Sequence, residues 1–139
     1  TSTYGIGMTT TPVQVCEAYA MLINGGYETR TGAAVIKKET SEAMLNILQN
    51  SYTSNIKSAP PLGWTLGGKS GTAPSPEITG TYNPDRDIGT YVGYLTNNTR
   101  TYVLLVRLDE PNVQAYASRA AAVAWSDIVK ELISNQIFK

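Results

Sequence analysis

Gly67-Gly68-Lys69-Ser70-Gly71-Thr72-Ala73 gathers one cation, two side-chain hydroxyls and three glycines in a single short stretch. Ser70 and Thr72 are two residues apart, so in an extended strand both hydroxyls point to one face. Lys69 lies between Gly68 and Ser70, and its side chain is long enough to swing to the rim of that face. A carboxylate at the rim would meet an ammonium and hydroxyl donors together, the chemistry of charge-assisted recognition. Gly71 removes a side chain where a ligand backbone can approach.

Outward from this stretch the pattern sets the fold class. Trp64 to Ala73 reads as a strand that Pro74 and Pro76 end, with a long polar loop over 74–87 in which Asp85, Arg86 and Asp87 are solvated. Gly89 to Thr96 is a second strand, Asn97-Asn98-Thr99-Arg100 a turn that also spells a glycosylation sequon, and Thr101 to Asp109 a third strand. The apolar run Val103 to Val106 suggests burial on both faces of that strand. Ser118 to Ser134 is a helix with a stripe of Ala121, Ala124, Trp125, Ile128 and Leu132. Upstream, residues 1–10 read as loop. Thr11, Pro12 and Gln14 form a helix start with a capping box, and Val15, Ala18, Tyr19 and Leu22 carry the helix over 12–24 to Gly25 and Gly26. A short extended piece is expected at Ala34 to Lys37. A second helix, capped by Thr40 or Ser41, runs to about Tyr52 with Met44, Leu45 and Leu48 on its apolar side, before a loop over 53–63. Helix, helix, strand, strand, strand, helix is an α+β order: a three-stranded antiparallel sheet flanked by helices.

Composition narrows the chemistry. The chain has 139 residues and a formal net charge of zero, enough for one core and without the basic excess that binds nucleic acid or acidic lipid. It contains no His, which excludes a Ser-His-Asp triad, a His base and His-ligated metals within these residues. Cys16 is the lone cysteine and reads as a small core residue. Trp64 and Tyr91 read as packing residues. No apolar run approaches a membrane span of ~20 residues. Gly63, Gly68, Lys69 and Ser70 match a phosphate-loop pattern, but that motif needs a helix to begin at its end, and Gly71, Pro74 and Pro76 forbid one.

Three blocks together resemble the C-terminal part of a penicillin-binding protein transpeptidase domain. YGIGMTTTPVQVCEAYAMLINGG (4–26) is similar to that family's glycine-rich approach, Thr-Pro-x-Gln helix and Asn-Gly-Gly stop. GGKSGTA resembles its Lys-Thr/Ser-Gly box. YVGYL (91–95) and TYVLLVRLDEP (101–111) resemble the two strands after the box. The resemblance covers nearly all of residues 1–139 and implies the C-terminal portion of one domain with a serine β-lactamase/transpeptidase-like fold.

The resemblance also implies a function: serine acyl transfer on D-Ala-D-Ala stem peptides at the extracytoplasmic face of a bacterial plasma membrane, without a metal or organic cofactor. Stem peptide and β-lactams would bind at Lys69, Ser70, Gly71 and Thr72. Lys69 would supply positive potential, the Ser70 and Thr72 hydroxyls would bind the ligand carboxylate, and the Thr72 N–H would serve the oxyanion hole. A β-lactamase or β-lactam sensor of the same fold, and a non-catalytic assembly module, are the rival readings. The family's nucleophile stands in Ser-x-x-Lys at a helix start, and its second motif is Ser-x-Asn. Ser54 and Lys57 spell the first in what reads as a loop where no helix fits, and the second is missing. These residues alone are therefore expected to be inactive. The third strand is expected to keep an unpaired edge, which the rest of the domain or a second copy would cover.

Overall fold

The computed structural model describes residues 8–77, 80–112 and 116–138. Helices α1 (Pro12–Ile23) and α2 (Lys38–Asn55) precede strands β1 (Thr65–Pro76), β2 (Tyr82–Thr96) and β3 (Thr101–Asp109), and helix α3 (Ala117–Ser134) follows. The strands form an antiparallel sheet in the order β1-β2-β3, so β1 and β3 are its edges. The loop expected over residues 1–10 lies outside the described residues up to position 7.

The start of α1 follows from its local sequence. The Thr11 backbone N–H donates to Gln14 Oε1 at 2.9 Å, and the Gln14 N–H donates to Thr11 Oγ1 at 3.2 Å. These bonds satisfy two donors that the helix itself leaves open. Gly25 and Gly26 end the segment at φ of 94° and 93°, a region that favours glycine. Thr11→Ala is expected to cost about 1 kcal/mol of stability, read as a lower urea midpoint at unchanged slope.

Alternation along the strands fixes the two faces. Tyr91 and Gly93 of β2 lie under Trp125 of α3, with the Tyr91 and Trp125 ring centroids 5.1 Å apart. Tyr94, on the other face, reaches α2, its hydroxyl donating to the Leu45 carbonyl at 3.4 Å. The main core is on the α3 face: Leu66, Tyr91, Leu95, Ala121, Ala122, Trp125 and Val129. The end of α2 joins it through Tyr52 and Ile56, so α2 passes the free edge of β1 and reaches both faces. Gly67 and Gly68 make that passage possible. A Cβ on Gly67 would collide with the Tyr94 ring and come within 3.0 Å of the Leu48 backbone, and one on Gly68 would lie 2.6 Å from Tyr91 Cε1. Their missing side chains serve packing.

Several expectations are corrected. β1 does not stop at Pro74 but runs to Pro76, and of the stretch expected as loop residues 74–76 and 82–87 lie in β1 and β2, with a register shift between Pro74 and Ser75. An edge strand tolerates proline because half of its N–H groups need no partner. Asp87 is paired in β2, and Arg86 meets Glu110 at 3.4 Å; that carboxylate also accepts from the buried Ser75 hydroxyl at 2.9 Å. α2 starts at Lys38 and ends at Asn55, with no side-chain cap. Ser41 is buried inside it, donating to the Leu22 carbonyl at 2.7 Å and accepting from the Gly25 N–H at 3.0 Å, so it ties α1 to α2. Of the piece expected over Ala34 to Lys37, Ala34 bridges Tyr27, and the N–H groups of Val35 and Ile36 donate to the Gly26 carbonyl at 2.9 and 3.2 Å, without a continuous strand. On α3 the buried stripe is Ala117, Ala121, Ala122, Trp125, Ser126 and Val129, while Ile128 is exposed. Residues 102–106 of β3 are half-buried, because β3 is an edge and α1, which has no fully buried residue, covers it loosely. Cys16 is likewise half-buried, in an apolar groove between α1 and β3 that raises its thiol pKa by desolvation.

Candidate functional site

β1 presents its central residues at the free edge of the sheet. Ser70 pairs with Tyr91 and Thr72 with Gly89, which puts both side chains on the α3 face. Lys69 and Gly71 point to the opposite face. Along an antiparallel strand the N–H and C=O of successive residues also alternate between the two edges. The Gly71 carbonyl accepts from Thr90 Oγ1 at 3.4 Å and so faces β2. The Ser70 carbonyl accepts from Lys69 Nζ at 2.8 Å and so faces outward. Thr72 shares the parity of Ser70, and its N–H points away from the sheet. Pro74 has the same parity, at a position where a donor is not needed.

The stretch read from the sequence as a binding strand is therefore an exposed edge with outward donors. Lys69, Gly71 and Thr72 are exposed and Ser70 is half-buried. Two details differ from the sequence reading. The Lys69 ammonium does not swing to the hydroxyl face; it folds onto the backbone carbonyl of its own strand. Gly71 does not merely leave space for a ligand, since a Cβ there would come 2.9 Å from Thr90 Oγ1.

Ser70 also lines a hollow of about 320 Å³ between β1, the end of α2 and the first turn of α3. Ser54, Lys57, Ser118 and Arg119 share it. A helix does reach Ser54, contrary to expectation, but that helix ends there. Ser54 Oγ donates to the Asn50 carbonyl at 2.8 Å, and Lys57 lies beyond the C-cap residue Ile56. Serine and lysine are thus not stacked on successive turns of one helix, the arrangement in which a lysine attends a serine hydroxyl. Lys57 was legible only as the lysine of that Ser-x-x-Lys match and Arg119 not at all, because only the fold brings these distant positions together beside Ser70.

Residues 1–133 match the family model of the penicillin binding protein transpeptidase domain. The chain belongs to this family. Among curated relatives, the peptidoglycan D,D-transpeptidase FtsI homolog of Chlorokybus atmophyticus is 28% identical over 115 residues, covering 81% of this chain and 17% of the relative. The probable peptidoglycan D,D-transpeptidase PenA of Neisseria flavescens is 24% identical over an alignment of 151 positions, covering 99% of this chain and 36% of the relative. The chain thus spans only a minor part of these transpeptidases. In fold it is similar to the apo transpeptidase domain of Burkholderia pseudomallei penicillin-binding protein 3, with a TM-score of 0.77 at 22% identity over 98% of this chain and 45% of that one. The class D β-lactamase OXA-427 gives a TM-score of 0.64 at 19% identity over 84% of this chain and 42% of that one. Both likenesses are of fold. Within the family, the strand carrying Lys69-Ser70-Gly71 here is an edge with its donors directed outward.

Proposed function

We propose that residues 1–139 are the C-terminal portion of a serine D,D-transpeptidase domain of cell-wall synthesis, acting outside the plasma membrane on D-Ala-D-Ala stem peptides and acylated by β-lactams. The observation that carries this reading is the outward N–H of Thr72, on the same edge strand as the hydroxyls of Ser70 and Thr72. Acyl transfer passes through a tetrahedral oxyanion, and its donor peptide ends in a carboxylate. An outward N–H suits the first and hydroxyls beside it suit the second. Lys69 adds positive potential along the edge. The serine whose Oγ attacks the carbonyl, displacing the terminal D-Ala, comes from sequence outside these residues, as does the covering for β3.

Labelling with a fluorescent penicillin tests this. The full-length protein is expected to form a stable adduct, and residues 1–139 alone none. An adduct on Ser54 would overturn the assignment of the nucleophile. Rapid release of the drug from the full-length protein would favour a β-lactamase, and absence of any adduct would favour an assembly module. The open edge of β3 and the groove along α1 lead to a second expectation: at high concentration the isolated residues dimerise by light scattering, and a monodisperse monomer counts against an exposed edge.

A further inference from the structure

Among the described residues, the cations that line the hollow on the hydroxyl side of β1 are Lys57 and Arg119, whereas Lys69 points to the opposite face. Both line the hollow that Ser70 enters, and its lining residues include no Asp or Glu. Among the described residues, Arg30, Arg86 and Arg107 each meet a carboxylate, at 2.7, 3.4 and 2.6 Å, whereas neither Lys57 nor Arg119 has one in ion-pair range. Two like charges brought to one concavity by separate elements give it a positive potential that favours an anion. The first turn of α3, where Arg119 stands, has no acidic residue and no side-chain cap, and Asp127, in an adjoining hollow that Lys57 and Arg119 also line, pairs with Lys130 at 3.9 Å.

We infer that Arg119, supported by Lys57, is the cationic member of a carboxylate subsite whose hydroxyl member is Ser70. The planar guanidinium fork matches a carboxylate in two parallel hydrogen bonds, and a serine hydroxyl completes the donor set. The inference rests on the transpeptidase reading for the source of that carboxylate, the free terminus of the stem peptide or the acid group of a β-lactam. Arg119 would then determine specificity: it selects acids over their neutral analogues and takes no part in bond making.

Two measurements on the full-length protein test it. The first compares acylation rates for a penicillin with a free ring carboxylate and for its methyl ester. Arg119→Met is expected to slow the acid about tenfold and to leave the ester within twofold, with Arg119→Lys recovering part of the loss. An unchanged acid rate, or equal slowing of acid and ester, overturns the inference. The Arg119 side chain is exposed and makes no ion pair among the described residues, so an unchanged Tm checks that folding is intact. The second follows the Arg119 Nε–H resonance as N-acetyl-D-alanine or its amide is added. Movement with the acid alone supports the subsite even where no penicillin adduct forms, in which case it is the catalytic reading that fails. No movement with the acid overturns the subsite whatever the enzyme does.

Discussion

Thr72→Pro in the full-length protein is expected to lower the rate of penicillin acylation by about 10²–10³-fold while leaving the fold in place. The substitution removes the backbone donor together with the side-chain hydroxyl, so the backbone share is read against a variant that loses the hydroxyl alone. Thr72 has the parity of Pro74 on an edge strand, so its N–H has no partner in β2 to lose. Proline also pushes the preceding residue toward extended geometry, and Gly71 is already extended within β1. Thr72→Ala is the control, because it keeps the N–H and removes only the hydroxyl; a loss nearer tenfold fits one charge-assisted hydrogen bond. Equal losses in the two variants would mean that the side chain, not the backbone, meets the ligand. A Thr72→Pro protein labelled at the wild-type rate would remove the oxyanion role altogether.

What the sequence disclosed and what it hid divide along a physical line. The Thr11 and Gln14 box was legible because both partners lie within one turn, and the glycine stop after α1 because φ is a property of single residues. The turn at Asn97 to Arg100 was legible for the same reason, with Asn98 at φ of 67° and the Arg100 N–H donating to Asn97 Oδ1 at 2.9 Å. Pro74 and Pro76 misled because a proline ends a strand only where its missing N–H faces a neighbour, and which edge is free is a tertiary fact. Ser41 was read as a cap and is instead a buried link to Leu22 and Gly25, an option that only the docking of α1 on α2 creates.

The site divides in the same way. Lys69, Ser70 and Thr72 could be read as an exposed, hydroxyl-bearing ribbon from spacing alone. The separation of Lys69 from the two hydroxyls followed from alternation, but a long flexible side chain leaves its final direction open. Arg119 carried no local signal, since one arginine in an alanine-rich helix start is ordinary. The long reach of β1 brings Ser70 beside α3, and α3 can lie so close because Gly93 and the alanines at 121 and 122 leave room.

That close approach makes Trp125 the side chain on which α3 depends, and Trp125→Ala is expected to cost about 3–5 kcal/mol of stability. Trp125 is fully buried, lies over Gly93 where a Cβ would come 2.7 Å from its Cζ2, and touches the rings of Tyr91 and Tyr52 at centroid distances of 5.1 and 6.1 Å. Its Nε1–H donates to the Leu104 carbonyl at 2.9 Å, so one residue ties α3 to β2, to β3 and to the end of α2. The variant opens a cavity among side chains that all three strands and two helices hold in place, which leaves little freedom to collapse into it. Urea unfolding should show a lower midpoint at similar slope, and heating a Tm lower by on the order of 10 °C. Trp125→Phe separates the two contributions. It keeps an aromatic ring but loses the donor to Leu104, and about 1–3 kcal/mol of destabilisation is expected. If the phenylalanine variant is as unstable as the alanine one, the hydrogen bond rather than ring volume anchors α3. Because Arg119 and Ala122 reach the hollow beside Ser70 from this same helix, a loosened Trp125 should also weaken discrimination between acid and ester at temperatures where the protein is still folded. Stability and selectivity failing together in Trp125→Ala, with selectivity failing alone in Arg119→Met, would distinguish a residue that holds the helix from one that uses it.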